Sequence, residues 1–315
     1  MMIVAEIGAS HCGSLARALN TIDAAVDAGA DAVKFQTWTH DRMAIPGEIL
    51  DHGPWKGREL TDIYREAYTP WEWFPTLFDH AKRRGIVMFS TPFDIASVDY
   101  LEQFNCPMYK IASYELVDLR LIERVARTGK PMIMSTGQAT RNEIGRAVKA
   151  AYFENITLLH CVSSYPASLK EMELYQMRWL GDRHQCKFGL SDHTLGIAAA
   201  VAATALGASM IEKHISLSMD GLDGVFAATP TEFEAMVDLC RQVEKAGRVN
   251  PYRPDQDFSL RRSLYYDRDM KAGMVLKEGD MKTARPNLGL CPTEIESAIG
   301  HKLGRDVKEN EPVKI

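Results

Sequence analysis

The sequence predicts a (β/α)8 TIM barrel followed by a small C-terminal domain, and three observations lead there. Eight short apolar, β-branched runs recur along the chain with helical stretches between them. Strand–helix alternation builds a parallel sheet, and eight repeats close it into a barrel of about 250 residues. Helix start and stop signals fall where that count needs them. Past Gly247 the periodicity is lost and a proline-containing stretch, "RVNPYRPDQDFSL", separates a last segment of different texture.

The expected strands are 3–8, 32–37, 87–90, 108–111, 132–135, 157–161, 187–190 and 210–214. Amphipathic segments at 15–28, 71–84, 142–153, 197–206 and 231–246 read as helices. Thr69 with Glu72, Thr140 with Glu143, and Thr229 with Glu232 fit a capping box, in which threonine and glutamate satisfy free N–H groups reciprocally. Gly29, Gly85, Gly129 and Gly207 suit helix C-termini. Residues 39–70 break the short-loop pattern with Pro46, Pro54, Trp55 and a short helix at 59–67; a connection this long is expected to wall or cover the top of the barrel. The domain division is 1–247 for the barrel, 248–260 for a linker and 261–315 for a domain small enough to need a partner surface.

Composition excludes several classes. The chain has 315 residues, 46% hydrophobic and 25% charged, with a net charge of −5, so it carries neither a basic nucleic-acid footprint nor an acidic tail. No basic leader and apolar stretch precede the first strand, and residues 197–211, the most apolar stretch, are too short to span a bilayer. Six cysteines without a C-x-x-C pair read as reduced thiols of a cytoplasmic protein, with Cys12 and Cys161 as space-fillers.

Active sites of such barrels lie at the C-terminal ends of the strands, and every strand here delivers polar residues to that end. Glu6 belongs to the first strand, Lys34 and Gln36 to the second. Thr91 follows the third, Lys110, Ser113 and Glu115 the fourth, Ser135 the fifth. Ser163 and Tyr165 follow the sixth strand, Ser191 and His193 the seventh, Glu212 and His214 the eighth. Lys34 and Lys110, with the hydroxyls around them, could hold a phosphate; alternatively Glu6 and Glu115 neutralise them. Two histidines at one height on adjacent strands point to a divalent metal with open positions, with Asp223 or Glu6 as further ligand or orienting group. His160 reads as packing, and His11 stays open.

The runs "AEIGASHCGSLARAL", "AGADAVKFQTW", "FSTPFD", "YKIASYE", "GKPMIMSTGQAT", "LLHCVSSYP", "GLSDHTLG" and "IEKH" resemble, in order, the sialic acid synthase family of phosphoenolpyruvate-dependent nonulosonate synthases. The tail, from "RRSLYYDRDMKAGMVLKEGD" to "RPNLGL", resembles the small antifreeze-like (SAF, β-clip) domain of those enzymes. The insertion "GPWKGRELTDIYREAYTPWEW" looks most like the pseudaminic acid synthase branch; Ser10 and Ser163 stand where the family or its neuraminate branch tends to carry asparagine. The resemblance implies condensation of phosphoenolpyruvate with an N-acetylated amino-sugar aldehyde. It implies Lys34, Thr91, Lys110, Ser113, Ser135 and Ser191 at phosphoenolpyruvate, and Gln36, Ser163, Tyr165 and Arg285 at the sugar. It further implies His193 and His214 on Mn²⁺ or Mg²⁺, Glu6, Glu115 and Asp223 as catalytic carboxylates, and a homodimer with exchanged tails. A 3-deoxy-sugar-acid phosphate synthase would need rim arginines, and a metal-dependent hydrolase more histidines. A non-catalytic carbohydrate-binding barrel would not need both lysines and both histidines.

Overall fold

The computed structural model describes residues 1–39, 41–152, 155–247 and 256–315, which divide into two compact units, Met1–Arg248 and Val249–Ile315. The first is a closed barrel of eight parallel strands in sequence order. They are β1 (Met2–Glu6), β2 (Ala32–Thr37), β3 (Val87–Pro92), β4 (Tyr109–Ile111), β5 (Met132–Ser135), β6 (Ile156–His160), β7 (Lys187–Asp192) and β8 (Met210–His214). Closure is made by β8 on β1, with Met2 opposite Met210 and Glu6 opposite His214.

The surrounding helices are α1 (Leu15–Asp27), α2 (Leu60–Ala67), α3 (Phe74–Arg84), α4 (Ile95–Glu102), α5 (Leu119–Ala126), α6 (Arg141–Ala150), α7 (Gln176–His184), α8 (Ala198–Ala205) and α9 (Pro230–Ala246). Their buried faces follow helical spacing: α1 buries Ala18, Thr21, Ile22 and Ala25, and α5 buries Leu121, Ile122 and Val125. Each buried Leu or Ile contributes roughly 1.5–3 kcal/mol of transfer free energy, so Leu121→Ala would cost about 2–5 kcal/mol once the cavity is included.

Two of the three capping boxes form. Thr140 N–H donates to Glu143 at 2.7 Å and Thr229 N–H to Glu232 at 2.9 Å, each with the reciprocal bond in place. The third does not. A short 3₁₀ turn, Trp71–Trp73, precedes α3, and Thr69 is buried with its hydroxyl 3.1 Å from His11 Nε2. Gly13 N–H donates to His11 Nδ1, so the ring proton sits on Nε2 and Thr69 is its acceptor. The threonine is used to tie the long insertion to the loop after β1. Gly29, Gly85, Gly129 and Gly207 all have positive φ, as a helix C-terminus favours.

Strands β3 and β7 run two residues further than their apolar runs suggest, taking in Thr91, Pro92, Ser191 and Asp192. Polar side chains are paired inside the barrel mouth or behind it, so they do not end the strand. The expected end of the sixth helix at Phe153 lies outside the described residues, as do residues 248–255 of the expected 248–260 linker.

The second unit has its own core of Leu264, Tyr266, Met270, Leu276, Met281, Ala298, Leu303, Val307 and Val313. Its antiparallel pair is β9 (Ser263–Tyr266) with β10 (Met281–Ala284), followed by one short helix, α10 (Ile295–Ala298).

Candidate active site

Side chains alternate along a strand, so Glu212 and His214 of β8 face the barrel mouth while Lys213 faces outward. The same alternation brings Ser191 inward on β7 and sends Asp192 outward, the two strands being paired Ser191 to Glu212 and Asp192 to Lys213. One cavity at the mouth is lined by Glu6, Lys34, Gln36, Thr91, Lys110, Ser113, Ser135, Tyr165, Ser191, His193, Glu212 and His214. All twelve were named from the sequence at the strand ends, eleven of them with an expected role, and they are gathered around one space.

The floor is an alternating charge cluster. Lys34 Nζ lies 2.6 Å from Glu6 and donates to Thr91 Oγ1 at 2.8 Å. Gln36 Nε2 donates to the other Glu6 oxygen at 2.7 Å. Glu212 receives the Ser191 hydroxyl at 3.0 Å, and lies 3.5 Å from Lys110 and 3.9 Å from Lys34. Burial works against the Lys34 charge, but Glu212 and Glu6 outweigh it and hold the ammonium above the usual lysine range. Burial dominates at Lys110 and pulls it below that range despite Glu212. Burial likewise opposes the Glu212 charge, yet Lys110, Lys34 and Ser191 together keep its carboxyl well below the usual range. Lys110 is thus matched by Glu212, where the sequence offered Glu115. The Ser135 hydroxyl is buried in the same floor with no protein partner, and Ser113 pairs with Ser163 at 2.8 Å.

The two histidines form the side wall, with ring centroids 5.7 Å apart. His193 Nδ1 donates to the Val162 carbonyl at 2.9 Å, and His214 Nδ1 lies 2.9 Å from Asp223 Oδ2. Engaging Nδ1 in this way leaves Nε2 of each ring as the nitrogen that could ligate an ion, with Ser191 Oγ 3.5 Å from His193 Nε2; outer acceptors orient metal-binding imidazoles in this manner. Among the described residues no group of three or more His, Cys, Asp or Glu gathers into a cage. The donor set therefore fits a divalent ion held by two imidazoles with positions left to water or substrate, and does not fit a closed structural zinc site.

Asp223 does not line the cavity. It is buried behind His214, accepting the Ala9 N–H at 3.0 Å as well as the imidazole. Gly8 makes that approach possible: its φ is +47°, and a Cβ there would sit 2.3 Å from Asp223 Oδ2.

Glu115 lies in a 3₁₀ turn after β4, half-buried, outside the residues that line the cavity, with one oxygen lacking a hydrogen-bond partner. Burial pushes its carboxyl up to about 7. Arg285 belongs to the second unit, exposed, with Nε donating to the Leu260 carbonyl at 2.7 Å.

An aromatic wall stands over the histidines. Tyr165 is 4.4 Å from the His193 ring and 5.0 Å from Phe226, and Phe226 is 4.8 Å from the His214 ring. Trp55, from the long insertion, is 5.8 Å from Tyr165 and donates Nε1–H to the Leu222 carbonyl. Trp38 is not part of this wall. It is fully buried against Tyr64, Tyr68 and Phe93, packing the insertion onto the barrel.

A family model described as the NeuB family matches residues 21–250, and one described as the SAF domain matches residues 261–315. The chain belongs to the NeuB family. It is 40% identical to the pseudaminic acid synthase of Helicobacter pylori, covering 99% of this chain and 96% of that protein. It is 34% identical to the N,N'-diacetyllegionaminic acid synthase of Campylobacter jejuni, covering 99% of this chain and 98% of that one. Among solved structures, the N-acetylneuraminic acid synthetase of Leptospira borgpetersenii superposes with a TM-score of 0.73 at 31% identity, over 80% of this chain and 87% of that one. In this NeuB-family chain the site residue that the sequence placed at the mouth without giving it a role is Glu212. The signal was present: with His214 facing the mouth, the residue two positions earlier must face it too.

Proposed function

We propose that this chain condenses phosphoenolpyruvate with 2,4-diacetamido-2,4,6-trideoxy-altrose and water to give pseudaminic acid and inorganic phosphate. The observation that carries the reading is the juxtaposition of two buried lysines and the unpaired Ser135 hydroxyl with two imidazoles whose Nδ1 atoms are engaged. Lys34, Lys110, Thr91, Ser113, Ser135 and Ser191 bind the phosphate and carboxylate by point charge and O–H donors. Gln36, Ser163, Tyr165 and Arg285 contact the sugar.

His193 and His214 would hold Mn²⁺ or Mg²⁺, which when bound acts as a Lewis acid toward the aldehyde oxygen. The enol carbon of phosphoenolpyruvate forms the new C–C bond to that aldehyde carbon. Water then adds at the former enol C2, and phosphate leaves with cleavage of its C–O bond. Glu115 takes the proton of that water; Glu6 holds Lys34 and Gln36 in place, and Asp223 holds the His214 ring.

The reading includes a cytoplasmic homodimer in which the tail of one copy completes the site of the other. Exposed Ile45, Ile49, Tyr114, Leu169, Tyr175, Leu195 and Met219 all sit on connections leaving the C-terminal ends of strands, which supports a covered mouth. Among the described residues no helix is long and apolar enough to cross a membrane. Phosphate release measured with phosphoenolpyruvate and each of three sugars tests the assignment: the diacetamido altrose, the corresponding legionaminate precursor and N-acetylmannosamine. The altrose is expected to give the highest kcat/KM; release with none of them would leave only a binding barrel.

A further inference from the structure

Behind the two histidines lies a second polar group that the reaction does not touch. Asp192 and Lys213 face outward from β7 and β8, directly opposite one another in register, and both are about 1% exposed. Lys213 Nζ donates to Asp192 Oδ2 at 2.9 Å and to the Thr194 carbonyl at 2.7 Å. Asp192 Oδ1 accepts from the Thr194 N–H at 2.9 Å and from its hydroxyl at 2.7 Å. Each member of the pair immediately precedes a histidine of the mouth, and Thr194 immediately follows one.

A pair of this kind is a poor way to gain stability. Taking both charges out of water costs more than their attraction commonly returns, and apolar residues of similar volume would pack here at least as well. Its value lies in geometry. Four hydrogen bonds fix the backbone on both sides of His193 and tie it across the sheet to the residue before His214. Val162 and Asp223 then set the ring rotations through Nδ1.

We infer that the Asp192–Lys213 pair is a positioning device that holds the His193 and His214 imidazoles at the spacing one divalent cation requires. The inference rests on the metal reading above. Loss of an outer group that orients a metal ligand weakens binding by about 10- to 100-fold, and a comparable loss is expected here.

The test is Mn²⁺ titration of the full chain by calorimetry, alongside thermal unfolding without metal, with His193→Ala and His214→Ala as references. Lys213→Met and Asp192→Asn should each lower both Tm and Mn²⁺ affinity. The double variant, Asp192→Leu with Lys213→Met, should recover most of the Tm yet stay at least about tenfold weaker for Mn²⁺. Thr194→Val, which keeps the ion pair, should leave Tm nearly unchanged and weaken Mn²⁺ a few-fold. Wild-type Mn²⁺ affinity in the double variant and in Thr194→Val would make the pair merely structural and overturn the inference alone. Wild-type protein that fails to bind Mn²⁺, or binds it unchanged without the histidines, would overturn the metal reading and this inference together.

Discussion

Lys110 Nζ lies 3.5 Å from Glu212 Oε1 at the floor of the barrel mouth, with both side chains almost sealed from water. Glu212 is also within 3.9 Å of Lys34, so a single carboxylate spaces the two ammonium groups that face an incoming anion.

Glu212→Gln removes that spacer and leaves Lys34 and Lys110 with Glu6 alone. Stripping one partner from a buried cluster is expected to cost about 3–5 kcal/mol of folding stability. A bound anion should compensate, so phosphoenolpyruvate should raise Tm more in the variant than in wild type. Turnover should fall by about two orders of magnitude through misplaced lysines. Thermal shift with and without phosphoenolpyruvate, and steady-state rates, check both parts.

Glu115 should impose an acid limb on the rate. Its carboxyl stands at about 7 against an ordinary 4.5, and a base acts only when ionised, so kcat should rise with pH up to about 7 and level off above. The folded state binds this proton more tightly than the unfolded chain. Stability therefore falls as pH rises from about 4.5 to 7, with the full penalty present above 7. Glu115→Gln should abolish the limb, slow turnover by roughly 100-fold, and stabilise the protein at pH 8 by about 1–3 kcal/mol. An unchanged limb in the variant's pH–rate profile would remove Glu115 from the role.

Trp55→Ala opens the aromatic wall at Tyr165. If the wall receives the 6-deoxy methyl and second acetyl group, kcat/KM for the diacetamido sugar should drop roughly tenfold or more while that for N-acetylmannosamine changes little. Discrimination in an apolar pocket is worth about 1–3 kcal/mol, so the two sugars should already overlap in wild type. Equal losses for both would reduce Trp55 to packing.

Truncation after Gly247 should give a folded barrel with most of its turnover gone, since the buried barrel core is built from residues within 3–240. Arg285→Ala should raise the KM for the sugar several-fold and leave that for phosphoenolpyruvate near wild type. Sedimentation of the full chain should give a dimer. A fully active truncated monomer would dispose of the exchanged tail.

The barrel was legible because both of its periods are written in composition: apolar strands of three to six residues, and helices such as α1 whose buried positions repeat every three to four. The histidines and lysines were legible for the opposite reason, as charged or ligating groups at the ends of buried strands. Partners were not. Which acid meets Lys110 depends on strand stagger around a closed sheet, and Glu212 reaches it across four strands while Glu115, five residues away in sequence, does not. Thr69 failed as a cap because His11, 58 residues distant, competes for its hydroxyl. Trp38 and Trp55 are indistinguishable by residue type; only the fold of the insertion puts one in the core and the other on the wall.

The in-and-out order of β8 also limits how the gene can change in length. Glu212 and His214 face the mouth and Lys213 faces the shell between barrel and helices, all within three consecutive codons. Inserting or deleting one codon ahead of them would exchange the two faces. Lysine would enter the mouth, and the carboxylate and imidazole would turn toward the helical layer, so the ion pair, the anion floor and the ligand wall would fail in one event. Length variation is tolerable in connections such as 39–70, whereas the stretch from Gly207 to His214 can be respelled but not recounted.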